Sequence, residues 1–156
     1  MTLDRYDRMI LGALQSDGRI SNKQLAGRVN LSESACLRRV RSLEGSGMID
    51  RYVALLSQAK VGLSGSVFVQ IGLHREEESE LAAFEEAVKN VPEVMECYSM
   101  AGIWDYMLKI VTRNISHYEN FVRNTLTTSP AIRELHSHMA VTEIKNSTEL
   151  PLETQL

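Results

Sequence analysis

No apolar run in this 156-residue chain approaches the roughly 20 residues that a membrane-crossing helix needs. The first residues, "MTLDRYDRMI", hold no basic stretch followed by an apolar core, so no secretory leader is read there either. The expectation is a cytoplasmic protein with no membrane partner. Cysteine is scarce: Cys36 and Cys97 are the only two, far apart and in no C-x-x-C pair. That argues against a disulfide framework or a thiolate metal site, and apolar neighbours at both positions point to buried free thiols. The chain also lacks G-x-S-x-G, H-E-x-x-H, a P-loop and any paired-carboxylate constellation, so the usual hydrolytic, metalloprotease and nucleotide chemistries have no foothold. All four histidines lie beyond residue 60, away from any obvious nucleophile. An enzyme is therefore not expected, and no cofactor is called for. Tryptophan occurs once, as Trp104.

What is present is unevenly spread. Residues 1–60 carry ten Lys and Arg against six Asp and Glu, while the other 96 residues carry seven against fourteen. The overall charge of −3 thus hides a basic first part and an acidic second part. Such asymmetry points to two modules, the first suited to a polyanion.

The first module, residues 1–60, reads as three helices and a strand pair. Leu3, Ile10, Leu11 and Leu14 recur at helical spacing and stop near Ser16–Gly18. "SNKQLAGRV" opens with Ser21 and places Gln24 three residues on, a capping box in which each side chain satisfies the other's N–H. After the short turn "NLS", Ser32 N-caps a third helix running to about Ser46, with Gly45 and Gly47 at its end. "MIDRYVALL" (48–56) alternates well enough for a strand or hairpin. The stretch 57–66, "SQAKVGLSGS", is small and glycine-containing and marks the domain boundary.

The second module, residues 61–156, reads as strand (66–73), helix (78–91), strand (93–100), strand (106–112), helix (115–126) and a long strand (132–145). This βαββαβ order predicts a ferredoxin-like α+β domain. Two helices cover one face of such a sheet and leave the other to be covered, which predicts a homodimer.

Projecting "SESACLRRVRSLE" (32–44) at about 100° per residue separates two faces. Cys36, Val40 and Leu43 fall on one side with Leu37 at its edge; Ser34, Arg38, Arg41 and Ser42 fall opposite, with Ala35 beside them. Arg39 lies on the flank, within reach of either a phosphate or a carboxylate of a neighbouring helix. Short polar residues in the first turn with arginines behind them suit the major groove of double-stranded DNA, where guanidiniums fork onto guanine edges or phosphates. A solvated basic face is the plainer account of the charges alone. The tandem of capped helices, short turn and wing favours the groove.

These motifs together resemble the leucine-responsive/asparagine regulator (Lrp/AsnC) family of transcription factors. The chain is similar to it at "LDxxDxxILxxLQxDGRIS", "LAxRVxLSxSxCLxRVxxLExxGxI" and the wing "YxALL". It is similar again at "EVMECYSMAGIWDYMLKI" and the terminal "EIKNSTELPL". The resemblance implies a winged helix-turn-helix joined to a ferredoxin-like sensor, homodimers assembling into octamers, and an amino-acid effector. Carried over residue by residue, it implies DNA contacts from Ser21, Asn22, Ser32, Ser34, Arg38, Arg39 and Arg41. It implies an effector loop at Gly102, Ile103, Trp104 and Asp105, flanked by Tyr98 and Ala101 and faced by Ser137, His138 and Met139. Ile103 stands where members commonly carry an acid, and His138 where they often carry a small or aromatic residue. An α-amino acid needs a carboxylate for its ammonium and N–H or hydroxyl donors for its carboxylate. Asp105 offers the first, and the Gly102 backbone with Ser137 the second. Read locally, Gly102 and Asp105 are also ordinary turn residues.

Two rival functions stay open on sequence alone. His136 and His138 share one face of a strand, a spacing that grips a metal, with Cys97, Asp105 or His117 as a third ligand. A small amino-acid-converting enzyme or an effector-binding adaptor is the alternative from another class, although an adaptor leaves the basic helix unexplained.

Overall fold

Asp4 starts the first helix by a carboxylate version of the capping box. Its side chain accepts from the Asp7 N–H (2.9 Å), and the Asp7 side chain accepts from the Asp4 N–H (3.2 Å). The computed structural model, which describes residues 2–74 and 78–152, places α1 at Arg5–Ser16, α2 at Asn22–Arg28 and α3 at Glu33–Gly45. Ser21 and Gln24 cap α2 reciprocally, and Ser32 accepts from the Ala35 N–H to cap α3. The three helices share a core of Ile10, Leu11, Ala13, Leu25, Ala26, Val29, Cys36 and Leu43. Contacts group the chain into two units, Met1–Leu55 with Ile144–Leu156, and Leu56–Glu143. The final segment, read from sequence as part of the second module, is thus grouped with the helices of the first.

The second unit contains β1 (Gly65–Leu73), α4 (Glu78–Lys89), β2 (Val94–Ser99), β3 (Tyr106–Thr112), α5 (Ile115–Phe121), a π-helical turn (Val122–Leu126) and β4 (Ile132–Met139). Its sheet runs β2-β3-β1-β4, with all neighbours antiparallel. This is the ferredoxin-like order. Alternation fixes the faces: Val67, Val69 and Ile71 of β1 and Tyr106, Leu108 and Ile110 of β3 join Phe84, Val88, Tyr118, Phe121 and Leu126 in one core. The opposite face carries Phe68, His138, Gln70 and His136 in register, and it leaves Phe68 and Tyr98 exposed.

Four expectations need correction. Residues 48–56 form no strand, and Tyr52, Val53, Leu55 and Leu56 stand exposed. A lone hairpin is marginal in water, and this segment meets no partner strand within its unit. The last strand stops at Met139, opposite Val67, instead of continuing to 145; one further bond, from the Ala140 N–H to the Ser66 C=O at 2.9 Å, brings the chain almost to the start of β1 at Gly65. The second helix of this unit ends regular α-geometry at Phe121 and closes with a wider turn that still buries Leu126. Cys36 is buried as expected, but Cys97 is exposed on the edge strand β2.

Candidate DNA-binding face and effector hairpin

On α3 the structure sorts the predicted contacts into two kinds. Ser34, Arg38 and Arg41 are exposed, as is Ser32 at the cap. Among the described residues, neither Arg38 nor Arg41 takes part in an ion pair. Arg39 takes the other of its two sequence options. Its Nη1 donates to Asp4 Oδ2 at 2.7 Å and to Asp7 Oδ1 at 2.8 Å, and its guanidinium lies 5.4 Å from the centre of the Tyr6 ring. It clamps α3 to the first turn of α1 while its side chain stays partly exposed. The Asp7 N–H and then the Arg39 guanidinium hold the Asp4 carboxyl below the usual range. The two carboxylates in turn push the Arg39 pKa further up.

Ser21 and Asn22 likewise have structural work. Ser21 caps α2, and the Asn22 amide donates to the Glu33 carbonyl at 2.9 Å, fastening the turn to the start of α3. Sequence reasoning missed the clamp's acidic half. Asp-x-x-Asp at the head of α1 was a readable capping signal, but only the fold shows that both carboxylates face Arg39. Because Asp7 is buried, Arg39→Ala leaves a desolvated carboxylate without its cation. We expect the melting temperature of the three-helix unit to fall by on the order of 5 °C, measured by circular dichroism. Asp7→Asn in the same background should recover part of the loss, because the uncompensated charge is then gone.

The hairpin between β2 and β3 is held by Asp105 and shaped by Gly102. The Asp105 C=O accepts from the Met100 N–H (2.9 Å), and its N–H donates to the Ile71 C=O (2.9 Å). Its carboxylate Oδ2 accepts from the Leu73 N–H at 2.8 Å. Leu73 follows a register shift in the β1–β4 ladder at Gly72, which leaves its N–H to be satisfied from outside the strand pair. At Gly72 an added Cβ would meet Arg133 Nη2 at 2.9 Å, so the glycine lets the Arg133–Glu134 ion pair lie over the strand. Gly102 has φ +148°, a conformation open to glycine and strained for other residues.

The remaining candidate residues do not gather on one surface. Ala101, Gly102 and Ile103 are exposed, Ile103 at 84%. Trp104 is half-buried and packs on His136 with ring centres 4.6 Å apart. His138 Nε2 lies 3.1 Å from Gln70 Oε1 on the open face, and Tyr98 donates its hydroxyl to Glu96 at 3.0 Å. Ser137 and Met139 pair with Val69 and Val67, which places them on the helix side of the sheet, where the Ser137 hydroxyl bonds that of Tyr118. The expected partnership of Asp105, Gly102 and Ser137 is therefore not assembled within one copy.

His136 and His138 do share the open face, yet among the described residues no group of three His, Cys, Asp or Glu comes together to hold a metal. A cavity of about 420 Å³ lies elsewhere, between α4 and β2, lined by Glu85, Val88, Met95, Cys97, Ser99 and Tyr106 among others. There Tyr106 donates to Glu85 at 2.6 Å, and burial followed by that carboxylate pushes its phenol up to about 12, so it stays a donor at neutral pH.

Comparison with known proteins bears on both halves. A winged helix-turn-helix DNA-binding family matches residues 3–50, and the Lrp/AsnC ligand binding domain matches residues 66–150. Leucine-responsive regulatory proteins of Klebsiella pneumoniae and Escherichia coli K12 are each 40% identical over 153 residues, covering 98% of this chain and 93% of theirs. Transcriptional regulator NMB0573 of Neisseria meningitidis, solved in complex with L-Met, superposes with a TM-score of 0.96 at 36% identity, covering 99% of this chain and 100% of its own. An AsnC family transcriptional regulator from Agrobacterium tumefaciens superposes with a TM-score of 0.94 at 40% identity, with the same coverage.

Proposed function

Because this chain belongs to the Lrp/AsnC family of transcriptional regulators, we propose that it reads DNA through Ser34, Arg38 and Arg41 and answers to an α-amino acid held at the Gly102–Asp105 hairpin. The helix-turn-helix binds DNA and the second domain binds the amino-acid effector. The residues assigned to each task are our reading. The observation that carries it is the division of labour on α3: Arg39 is internally neutralised, while Arg38 and Arg41 face solvent behind a first turn capped by Ser32. That turn presents free N–H groups and a positive helix end to phosphate, and the two guanidiniums follow into the groove.

For the effector, the exposed backbone at Ala101–Ile103 supplies donors for a carboxylate, and the Asp105 carboxylate lies at the base of the same hairpin. Enclosure of the ligand falls to a second copy of the chain. The open sheet face, with Phe68, Tyr98, Met95 and Met100 exposed in and beside it, supports a homodimer in which that face is covered. The Trp104–His136 stack lies at its rim, and dimers associate further into an octamer. No helix among the described residues is long and apolar enough to cross a membrane.

One binding series tests this reading. Anisotropy of a labelled DNA selected from a random library should show log K falling with log salt by about 0.9 for each phosphate neutralised. Repeating the series with each of the twenty amino acids should identify a subset that shifts the affinity. The same ligands should raise the melting temperature, since at a hundred times its Kd a ligand stabilises by about 2.7 kcal/mol. A salt-independent affinity sinks the DNA assignment, and twenty amino acids without effect on binding or melting sink the effector assignment.

A further inference from the structure

The end of the chain makes contacts that neither DNA reading nor effector binding requires. Beyond β4 it rejoins the first unit, and Leu150 is held there by a single side chain at both its backbone groups. Its N–H donates to Gln15 Oε1 (2.6 Å), and its C=O accepts from Gln15 Nε2 (3.2 Å). Next to it, Ser16 donates its hydroxyl to Glu149 Oε1 at 3.1 Å. Two residues on, Leu152 packs against the cluster that contains Ile10, Leu11 and Val29. The segment forms one wall of a groove of about 760 Å³ whose other wall is α1 and the end of α2.

The sequence explains why this segment docks. Pro151 biases Leu150 toward extended backbone. In that conformation the N–H and C=O of one residue point to the same side, as they do toward a strand partner in an antiparallel ladder. A primary amide carries one donor end and one acceptor end, so Gln15 takes the place of that partner. Leu152 then anchors the segment by burial. Chain ends are loose unless tied down, and three of the four residues from 149 to 152 hold this one through named contacts.

We infer that the end of α1 at Gln15 and Ser16, with the cluster beneath it, is a peptide-docking site whose ligand is the chain's own "ELPL" segment, which walls the groove without filling it. This makes the tail a second covalent tether between β4 and α1. The first turn of α1 grips α3 through Arg39 and its last turn grips the tail, so movement at the end of β4 reaches the recognition helix through residues 140–148 without passing along the 56–64 linker. The tether stands on these contacts alone and not on the effector assignment.

Hydrogen exchange tests it in the full-length protein. The Leu150 amide should exchange at least about tenfold more slowly in the natural chain than in Gln15→Ala, where its acceptor is gone. Equal rates in the two proteins overturn the inference. A chain ending at Thr148 is then titrated with a labelled peptide of residues 146–152. Saturable binding that weakens by about tenfold or more with Gln15→Ala is expected, and no binding, or binding indifferent to the substitution, overturns the docking site on α1. Should the shortened chain fail to fold, the exchange comparison still decides.

Discussion

Removing either Arg38 or Arg41 is expected to weaken binding to the selected DNA by about 1–3 kcal/mol, five- to 150-fold, if that arginine reads a base edge. Both side chains are exposed and, among the described residues, neither holds an ion pair. Arg38→Ala and Arg41→Ala should therefore leave the melting temperature unchanged. That separates them from Arg39→Ala, which acts through the fold. A base-reading arginine also relaxes selectivity at one position, whereas a phosphate contact weakens all sequences alike and lowers the salt slope by about one. Anisotropy against the selected DNA and its single-position variants distinguishes the two. Unchanged affinity and selectivity in both variants would remove α3 from the groove.

Loss of the effector response is the second large effect, and it needs two substitutions at Asp105. The carboxylate already satisfies the Leu73 N–H, so Asp105→Ala strips the hairpin of a bond as well as a charge. It should cost about 1–3 kcal/mol of stability from the unsatisfied donor and abolish the amino-acid shift. Asp105→Asn keeps an oxygen for Leu73 and replaces the other with an amide NH2, removing the charge that an ammonium group would need. Its melting temperature should stay close to the natural value while the effector-induced change in DNA affinity disappears. A full effector response in Asp105→Asn would rule the carboxylate out as the ammonium acceptor. Binding without effector should persist in both variants.

Local signals in the sequence carried the framework a long way. The Ser21–Gln24 box, the Ser32 cap and the alternation in β1 depend on neighbours a few residues apart, and each appears where it was read. What failed to show depends on partners outside the local window. Residues 48–56 have the alternation of a strand, but alternation records a wish for a partner and does not supply one; the apolar side chains stand exposed. The same holds for residues 140–145, which carry strand-like spacing but have almost no β1 left opposite them. Arg39 illustrates a subtler limit. Its position on the flank of α3 was legible, while the two carboxylates it meets are brought to it by α1 folding across. At the effector hairpin, Gly102 and Asp105 were rightly read as turn residues. The side of the sheet on which Ser137 falls follows from its pairing with Val69, which a motif match does not encode.

The Arg39 clamp also bears on how the protein searches a genome. A guanidinium that meets only phosphate strengthens attachment to all DNA equally, because phosphate contacts carry no sequence information. If Arg38 and Arg41 read base edges as proposed, holding the third arginine against Asp4 and Asp7 lowers attachment to irrelevant sites without touching the discriminating pair. Occupancy at a true target depends on that ratio and not on tightness alone. A helix with all three arginines free would dwell longer on the wrong DNA.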